Sequence, residues 1–341
     1  MRQIEKTYKK GVLRKLLIKI CRLLGYELID QADMSFVTST NKENASIIGN
    51  KSITLPLGEI TIKRKIHNLD IILKTCTSVN LVTQNKKRIF EGNKSDYTFR
   101  TINSLLKSVK KASDNTRNIN FHITVIDAGS AENDKITMQK ILEKTDIKFN
   151  FIDLNLNNYL KRIKVINKNN PQIESNMKST MASIIKSLEI AKNSKDLVYF
   201  VEDDYIHEEK CLVEMIETYE RLSSQLKREI FVCPSDYPYL YTDIDQSKIF
   251  AGSNRHWRSI NKVLCTFLVS KEHLSKYWDN FNKTCLIRND PFEKHINEIF
   301  TKEICISPLK SLAVHITNIN SSYGLSPYIN YMKLWKENEN V

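Results

Sequence analysis

The stretch Leu197-Val198-Tyr199-Phe200-Val201-Glu202-Asp203-Asp204 decides how the chain is read. Five apolar residues in a row, rich in β-branched and aromatic side chains, predict a strand buried on both faces. Three carboxylates follow it without a spacer. Adjacent carboxylates repel one another, so a fold tolerates them at a strand end when a cation compensates. Mg²⁺ or Mn²⁺ takes one or two carboxylates and completes its shell with diphosphate oxygens and water. The competing reading is that these acids cap a following helix, whose N-terminus favours anions.

Outward from this stretch, strand and helix patterns alternate. Strands are expected at Leu69–Thr75, Phe121–Ile126 and Phe149–Leu154, and helices at Phe99–Val109, Ile136–Leu142, Asn176–Ala191 and Cys211–Leu226. Such alternation gives an α/β fold, Rossmann-like, with a mainly parallel central sheet and helices on both faces. In open α/β sheets ligands bind beyond the carboxyl ends of the strands. Three expected strand ends carry polar groups: Thr75 with Thr77, Asp127 with Ser130, and Glu202 with Asp203 and Asp204. Asn176, at the start of its helix, joins these candidate ligand-binding residues. Neither G-x-G-x-x-G nor G-x-x-x-x-G-K-[ST] occurs, so the glycine-built phosphate cradles are missing and another device must neutralise a bound phosphate.

The last third adds two clusters. Phe231-Val232-Cys233-Pro234-Ser235-Asp236-Tyr237-Pro238-Tyr239 reads as a strand and an aromatic loop. Asp236, Tyr237 and Tyr239 either line a sugar pocket or belong to a proline-set turn with packing tyrosines. Arg255-His256-Trp257-Arg258 precedes an expected strand at Val263–Val269. Arg255 and Arg258 either grip diphosphate or an anionic acceptor, with Trp257 on the acceptor side, or form a solvated basic loop around one packed Trp.

Over roughly residues 66–330 the chain resembles the family 2 glycosyltransferases and their GT-A relatives. The resemblance rests on Leu73-Lys74-Thr75, where Lys74 replaces the usual proline, on Asp127-Ala128-Gly129-Ser130, where the second of two aspartates is lost, and on Glu202-Asp203-Asp204 in place of D-x-D. It implies sugar transfer from a nucleotide sugar, UDP- or GDP-linked, to a saccharide or lipid-linked acceptor in surface-glycan synthesis, with Mn²⁺ or Mg²⁺ as cofactor. It implies that Glu202 faces the ribose or a metal-bound water or joins the metal's ligands, that Asp204 binds the metal, and that His315, in Ser311-Leu312-Ala313-Val314-His315, completes the shell or contacts diphosphate. The base that takes the acceptor proton in an inverting transfer is expected at Asp290 first and Glu293 second; a helix cap is the rival role for Asp290, next to Pro291, and a retaining mechanism would not use this base.

Residues 1–28 read as a basic amphipathic helix. Leu13, Leu16, Leu17, Ile20, Leu23 and Leu24 share one face, and Arg14, Lys15, Lys19 and Arg22 populate the other. Gly25 closes it. Such a helix either lies on an anionic membrane or docks on its own domain with its lysines solvated. Residues 29–65 read as a linker or small β extension, 66–330 as the transferase domain, and 331–341 as a tail. The net charge of +13 favours anionic partners without choosing among them. The seven cysteines, an odd number with no C-x-x-C spacing, fit a reducing cytoplasm better than a zinc site or disulfide framework. No run of about 18 apolar residues predicts a membrane span. Two rival functions remain: a nucleotidyltransferase, disfavoured because Thr75–Leu81 lacks glycine, and a non-catalytic membrane- or nucleic-acid-binding protein, which leaves the strand-end acids unexplained. Nucleic acid is not an expected partner.

Overall fold

The computed structural model describes residues 12–26, 51–54, 58–78, 88–116, 118–164, 171–242, 246–288 and 292–339. A nine-stranded sheet forms its centre. Strand β3 (Asn68–Thr75) lies within it, with Ile71, Ile72 and Leu73 fully buried. It pairs in parallel with β4 (Asn120–Asp127) on one side and β6 (Leu197–Glu202) on the other, and β5 (Lys148–Asp153) extends the parallel half beyond β4. The register places Thr75 opposite Asp127 and Lys74 opposite Glu202, so three carboxyl ends meet along one edge.

Beyond β6 the sheet continues through β11 (Phe267–Ser270), β8 (Phe231–Val232), β12 (Cys305–Pro308), β10 (His256–Ile260) and β9 (Ile249–Ala251). Among the described strands of this sheet, β10 and β11 run against the others. The parallel architecture expected from the alternation holds for the half built of β5, β4, β3 and β6, and the other half is mixed. Helices α2 (Lys94–Asn115), α3 (Glu132–Leu142), α5 (Pro171–Ala191) and α6 (Cys211–Leu226) supply most of the cover, and α4 (Asn157–Leu160), α7 (Lys271–Lys276), α8 (Trp278–Leu286) and α9 (Lys294–Ile299) are shorter. Residues from both halves, including Leu73, Val125, Val201, Leu268 and Ile306, form one buried core with α2, α5 and α6.

A second, two-stranded sheet pairs β7 (Tyr205–His207) with β13 (Ala313–His315), antiparallel, with His315 opposite Tyr205. Thus Glu202-Asp203-Asp204 leads through a turn into β7, and α6 starts only at Cys211. The acids therefore do not cap a following helix. Two further expectations are corrected. The strand expected at Val263–Val269 begins at Phe267, and the run from Arg255 to Arg258 lies mostly in β10 rather than in a loop.

Hairpin β1 (Lys51–Thr54) with β2 (Gly58–Thr61) occupies the weakly patterned region before the sheet. Helix α1 (Val12–Leu23) ends in a glycine-closed turn: Gly25 has φ +81°, the Tyr26 amide donates to the Cys21 carbonyl at 2.9 Å, and the Gly25 amide donates to Arg22 at 3.1 Å. At the other end, residues read as a tail form α10 (Tyr331–Glu337). Its Trp335 stacks on Phe90 (4.1 Å between centroids) and meets Tyr97 edge-on, while the Arg100 guanidinium lies 4.2 Å over its ring. Arg100 also donates to the Trp335 carbonyl and pairs with Glu339 at 2.9 Å, which ties α10 to α2. No helix of the described residues is long and apolar enough to cross a membrane.

Candidate active site at the carboxyl ends of the central strands

Asp127 and Asp203 organise the edge. Asp127 is fully buried. One oxygen accepts from the Gly129 and Ser130 amides at 3.1 and 2.8 Å, and the other from Thr75 Oγ1 at 2.8 Å and from Ser130 Oγ. Gly129 sits at φ +108°, a conformation that favours glycine, so the Asp-Ala-Gly-Ser turn is bound by its own aspartate. Ser130 Oγ accepts from the Thr77 amide at 2.9 Å, joining the loops after β3 and β4. Asp203 is equally engaged: Lys94 Nζ donates to it at 2.7 Å, Thr98 Oγ1 at 3.0 Å and the Cys76 amide at 3.1 Å. With both oxygens taken by the first turns of α2 and the end of β3, Asp203 anchors the acidic turn.

Asp204 is placed differently. Its Oδ1 lies 3.5 Å from His315 Nε2, and its Oδ2 lies 3.4 Å from Arg88 and 3.9 Å from Lys94. Burial opposes its charge, yet the Lys94, His315 and Arg88 cations hold its carboxyl well below the usual carboxylate range. The Ile316 amide donates to the Asp204 carbonyl at 2.8 Å, which sets β13 against the turn. His315 Nδ1 lies 2.7 Å from the Tyr323 carbonyl, which can only accept, so Nδ1 carries the proton and Nε2 faces Asp204. The imidazole stacks on Tyr205, 4.7 Å and 5° from parallel. Burial works against an imidazolium here, but the Asp204 carboxylate raises its pKa.

Glu202 points elsewhere. Lys74 Nζ donates to it at 3.2 Å, and its amide donates to Thr266 Oγ1 at 3.1 Å. Burial alone would lower the Lys74 ammonium, and Glu202 raises it instead. Glu293, just before α9, completes this side of the site. Burial first, and then the Glu202 charge, lift its carboxyl to about 7.

For a divalent cation the site holds a partial donor set. Asp204 and His315 offer one carboxylate and one imidazole, and the Nδ1–H bond to a carbonyl is the support a metal-ligating histidine ordinarily has. Glu202 lies against Lys74 rather than beside them, and among the described residues no group of three or more His, Cys, Asp or Glu side chains is placed to hold an ion. The pair fits a cation that takes the rest of its shell from a ligand's phosphate oxygens and water. It does not make a complete protein cage.

Of the other expected site residues, Tyr237 adjoins this cluster through Tyr205 and Tyr323, and Asp236, Tyr239, Arg255 and Arg258 bond protein groups of their own. Arg258 and Asp236 form a buried ion pair, with Tyr241 also donating to Asp236. The Tyr237 and Tyr205 hydroxyls are 2.7 Å apart, and Tyr239 donates to the Lys262 carbonyl at 2.7 Å. Trp257, on β10 between β9 and β12, is fully buried. Arg255 pairs with Glu214 at 2.7 Å and Glu208 at 3.3 Å. These side chains are packed rather than presented to a ligand. Asn176 is buried on α5, and Asp290 lies outside the described residues. Sequence reasoning missed Lys94, Thr98 and Arg88. Lys94 opens α2 within a polar stretch, Asn93-Lys94-Ser95-Asp96, that carries no periodic apolar signal.

No protein-family profile matches the chain, and no curated protein matches it. Several solved structures resemble its fold distantly. Residues 1–349 of S. aureus TarS in complex with UDP-GlcNAc are 11% identical, with 75% of this chain and 60% of that one covered and a TM-score of 0.40. The galactosyltransferase LgtC with donor and acceptor sugar analogues is 12% identical, with 80% and 97% covered and a TM-score of 0.35. The bifunctional glycosyltransferase WbbM is 9% identical, with 67% and 37% covered and a TM-score of 0.35. The match spans 29% of the TarS chain and 37% of WbbM, well under two thirds of either. Likenesses at these TM-scores carry no functional argument.

Proposed function

We propose that the chain is a glycosyltransferase that moves a sugar from a nucleoside-diphosphate sugar to a saccharide or lipid-linked acceptor, aided by a divalent cation. The observation that carries this reading is the Asp204–His315 pair, 3.5 Å apart, at the carboxyl edge of a parallel sheet beside a carboxyl lifted to about 7. A bound Mn²⁺ or Mg²⁺ would neutralise charge developing on a departing diphosphate. Asp204 and His315 would hold it, and the cations of Arg88 and Lys94 keep Asp204 ionised for that purpose. The turns at Cys76–Ser78 and Ala128–Ser130, held together by Asp127, shape the floor for the nucleoside.

The bond changes are those of a direct displacement. The acceptor oxygen bonds to the anomeric carbon as the bond from that carbon to the diphosphate oxygen breaks, and its electron pair leaves with the diphosphate. Glu293 receives the acceptor hydroxyl proton. Its pKa near 7 suits a general base at neutral pH, where proton affinity and the ionised fraction are balanced.

The test is a thermal-shift screen with UDP, GDP, CMP and dTDP, each with and without Mn²⁺, on the wild type and Asp204→Ala. Ligand at about 100 times its Kd stabilises a fold by about 2.7 kcal/mol. One nucleotide raising Tm only with the metal, and losing that effect in Asp204→Ala, is the expected result. No shift from any nucleotide under either condition overturns the reading.

A further inference from the structure

Among the described residues, nothing covers the apolar face of the amphipathic helix α1. Leu13, Leu16, Leu17, Ile20, Leu23 and Leu24 are all exposed, from 46% for Ile20 to 85% for Leu13. The half-buried positions are Ile18, opposite the stripe, and Cys21, at its border. The broad apolar stripe is therefore exposed along the helix. Contiguous exposed apolar surface of this kind marks an interaction face.

The charges beside the stripe narrow the choice of occupant. Lys15, Lys19 and Arg22 border it, and residues 12–26 contain no Asp or Glu. A second copy of the helix would bring these cations against their own equivalents with no acid on the helix to pair them. A polyanion such as nucleic acid would satisfy the cations and leave the leucines in water. An anionic bilayer answers both, with headgroup charge for the basic fringe and acyl chain for the stripe. Twelve helical residues are about 18 Å long, against a hydrocarbon core of about 30 Å, so the helix can lie in the interface but not cross it. We propose that α1 is an interfacial docking helix for a membrane surface rich in anionic phospholipid. The net charge of +13 adds long-range attraction to the same surface. This inference does not depend on the transferase reading.

The full chain is sedimented with phosphatidylcholine vesicles containing phosphatidylglycerol and with phosphatidylcholine vesicles alone, at low and moderate salt. Two double variants are compared, Leu16→Glu with Leu17→Glu and Lys15→Glu with Lys19→Glu, and their thermal melts verify folding. We expect binding to the anionic vesicles at least about tenfold tighter than to the neutral ones, weakened by salt, and reduced at least about tenfold in each variant. Absence of binding to anionic vesicles overturns the proposal, as does equal binding by wild type and the Leu16/Leu17 variant. Light scattering that shows a wild-type dimer dissociated by the leucine changes, with no vesicle binding, overturns it in favour of a second copy.

Discussion

His315 Nε2 faces Asp204 Oδ1 at 3.5 Å because the Tyr323 carbonyl, 2.7 Å from Nδ1, turns the imidazole's other nitrogen toward the carboxylate. The two residues belong to different segments, the turn after β6 and the end of β13, and the β7–β13 pairing, with the Ile316 amide on the Asp204 carbonyl, brings them together. His315→Ala should therefore weaken Mn²⁺ binding in the presence of the preferred nucleoside diphosphate by at least about tenfold, since even outer partners of a ligating histidine are worth about 10–100-fold. Titration of Mn²⁺ by electron paramagnetic resonance reads this directly; unchanged affinity would remove His315 from the site.

Glu293 gives a pH signature. A base acts ionised, so transfer should rise with pH through about 7, and Glu293→Gln should lose that limb along with about 10²–10⁴ in kcat. Stability moves the other way. The folded carboxyl binds its proton more tightly than the ordinary value of 4.5, so this group lowers stability as pH rises from about 4.5 through 7. Urea midpoints across that window should decline less in Glu293→Gln than in wild type.

Asp203 is an anchor, and its loss should show in stability. Asp203→Ala leaves the Lys94 ammonium, 5% exposed, without its 2.7 Å partner. Breaking a buried pair from one side costs about 3–5 kcal/mol, and equilibrium urea unfolding measures it. A cost below about 1 kcal/mol would mean that solvent or Asp204 takes over the ammonium.

Trp335 joins the C-terminal helix to the segment that carries Arg88. Trp335→Ala removes its stack on Phe90 and the platform under Arg100, and should destabilise the fold by about 1–3 kcal/mol. Because Phe90 lies two residues from Arg88, the variant should also weaken nucleotide–metal binding more than its stability loss explains. Isothermal titration at a temperature where the variant is fully folded separates the two effects.

Much of the parallel half was legible in the chain. Leu197–Val201 and Cys211–Leu226 lie where their apolar spacing put them, because continuous burial and helical periodicity are both local signals. The strands β7, β9, β12 and β13 are three or four residues long, too short to show a period, and their existence depends on partners far along the chain. The site divides the same way. Glu202-Asp203-Asp204 stood out by composition, but only the fold assigns Glu202 to Lys74, Asp203 to Lys94 and Asp204 to His315. Trp257 and Tyr237 drew attention as aromatics, and whether such rings face a ligand or the core is set by strand register and loop path, which composition does not encode.

The separation of these partners along the chain also orders their appearance during synthesis. Lys74 and Lys94 precede the acids they neutralise by 128 and 109 residues, so a nascent chain presents both cations before either carboxylate leaves the ribosome. The acidic turn can thus settle against partners already made, without a stage of unopposed charge. His315 follows much later. Until it is translated, the turn has its cations but lacks the imidazole that faces Asp204.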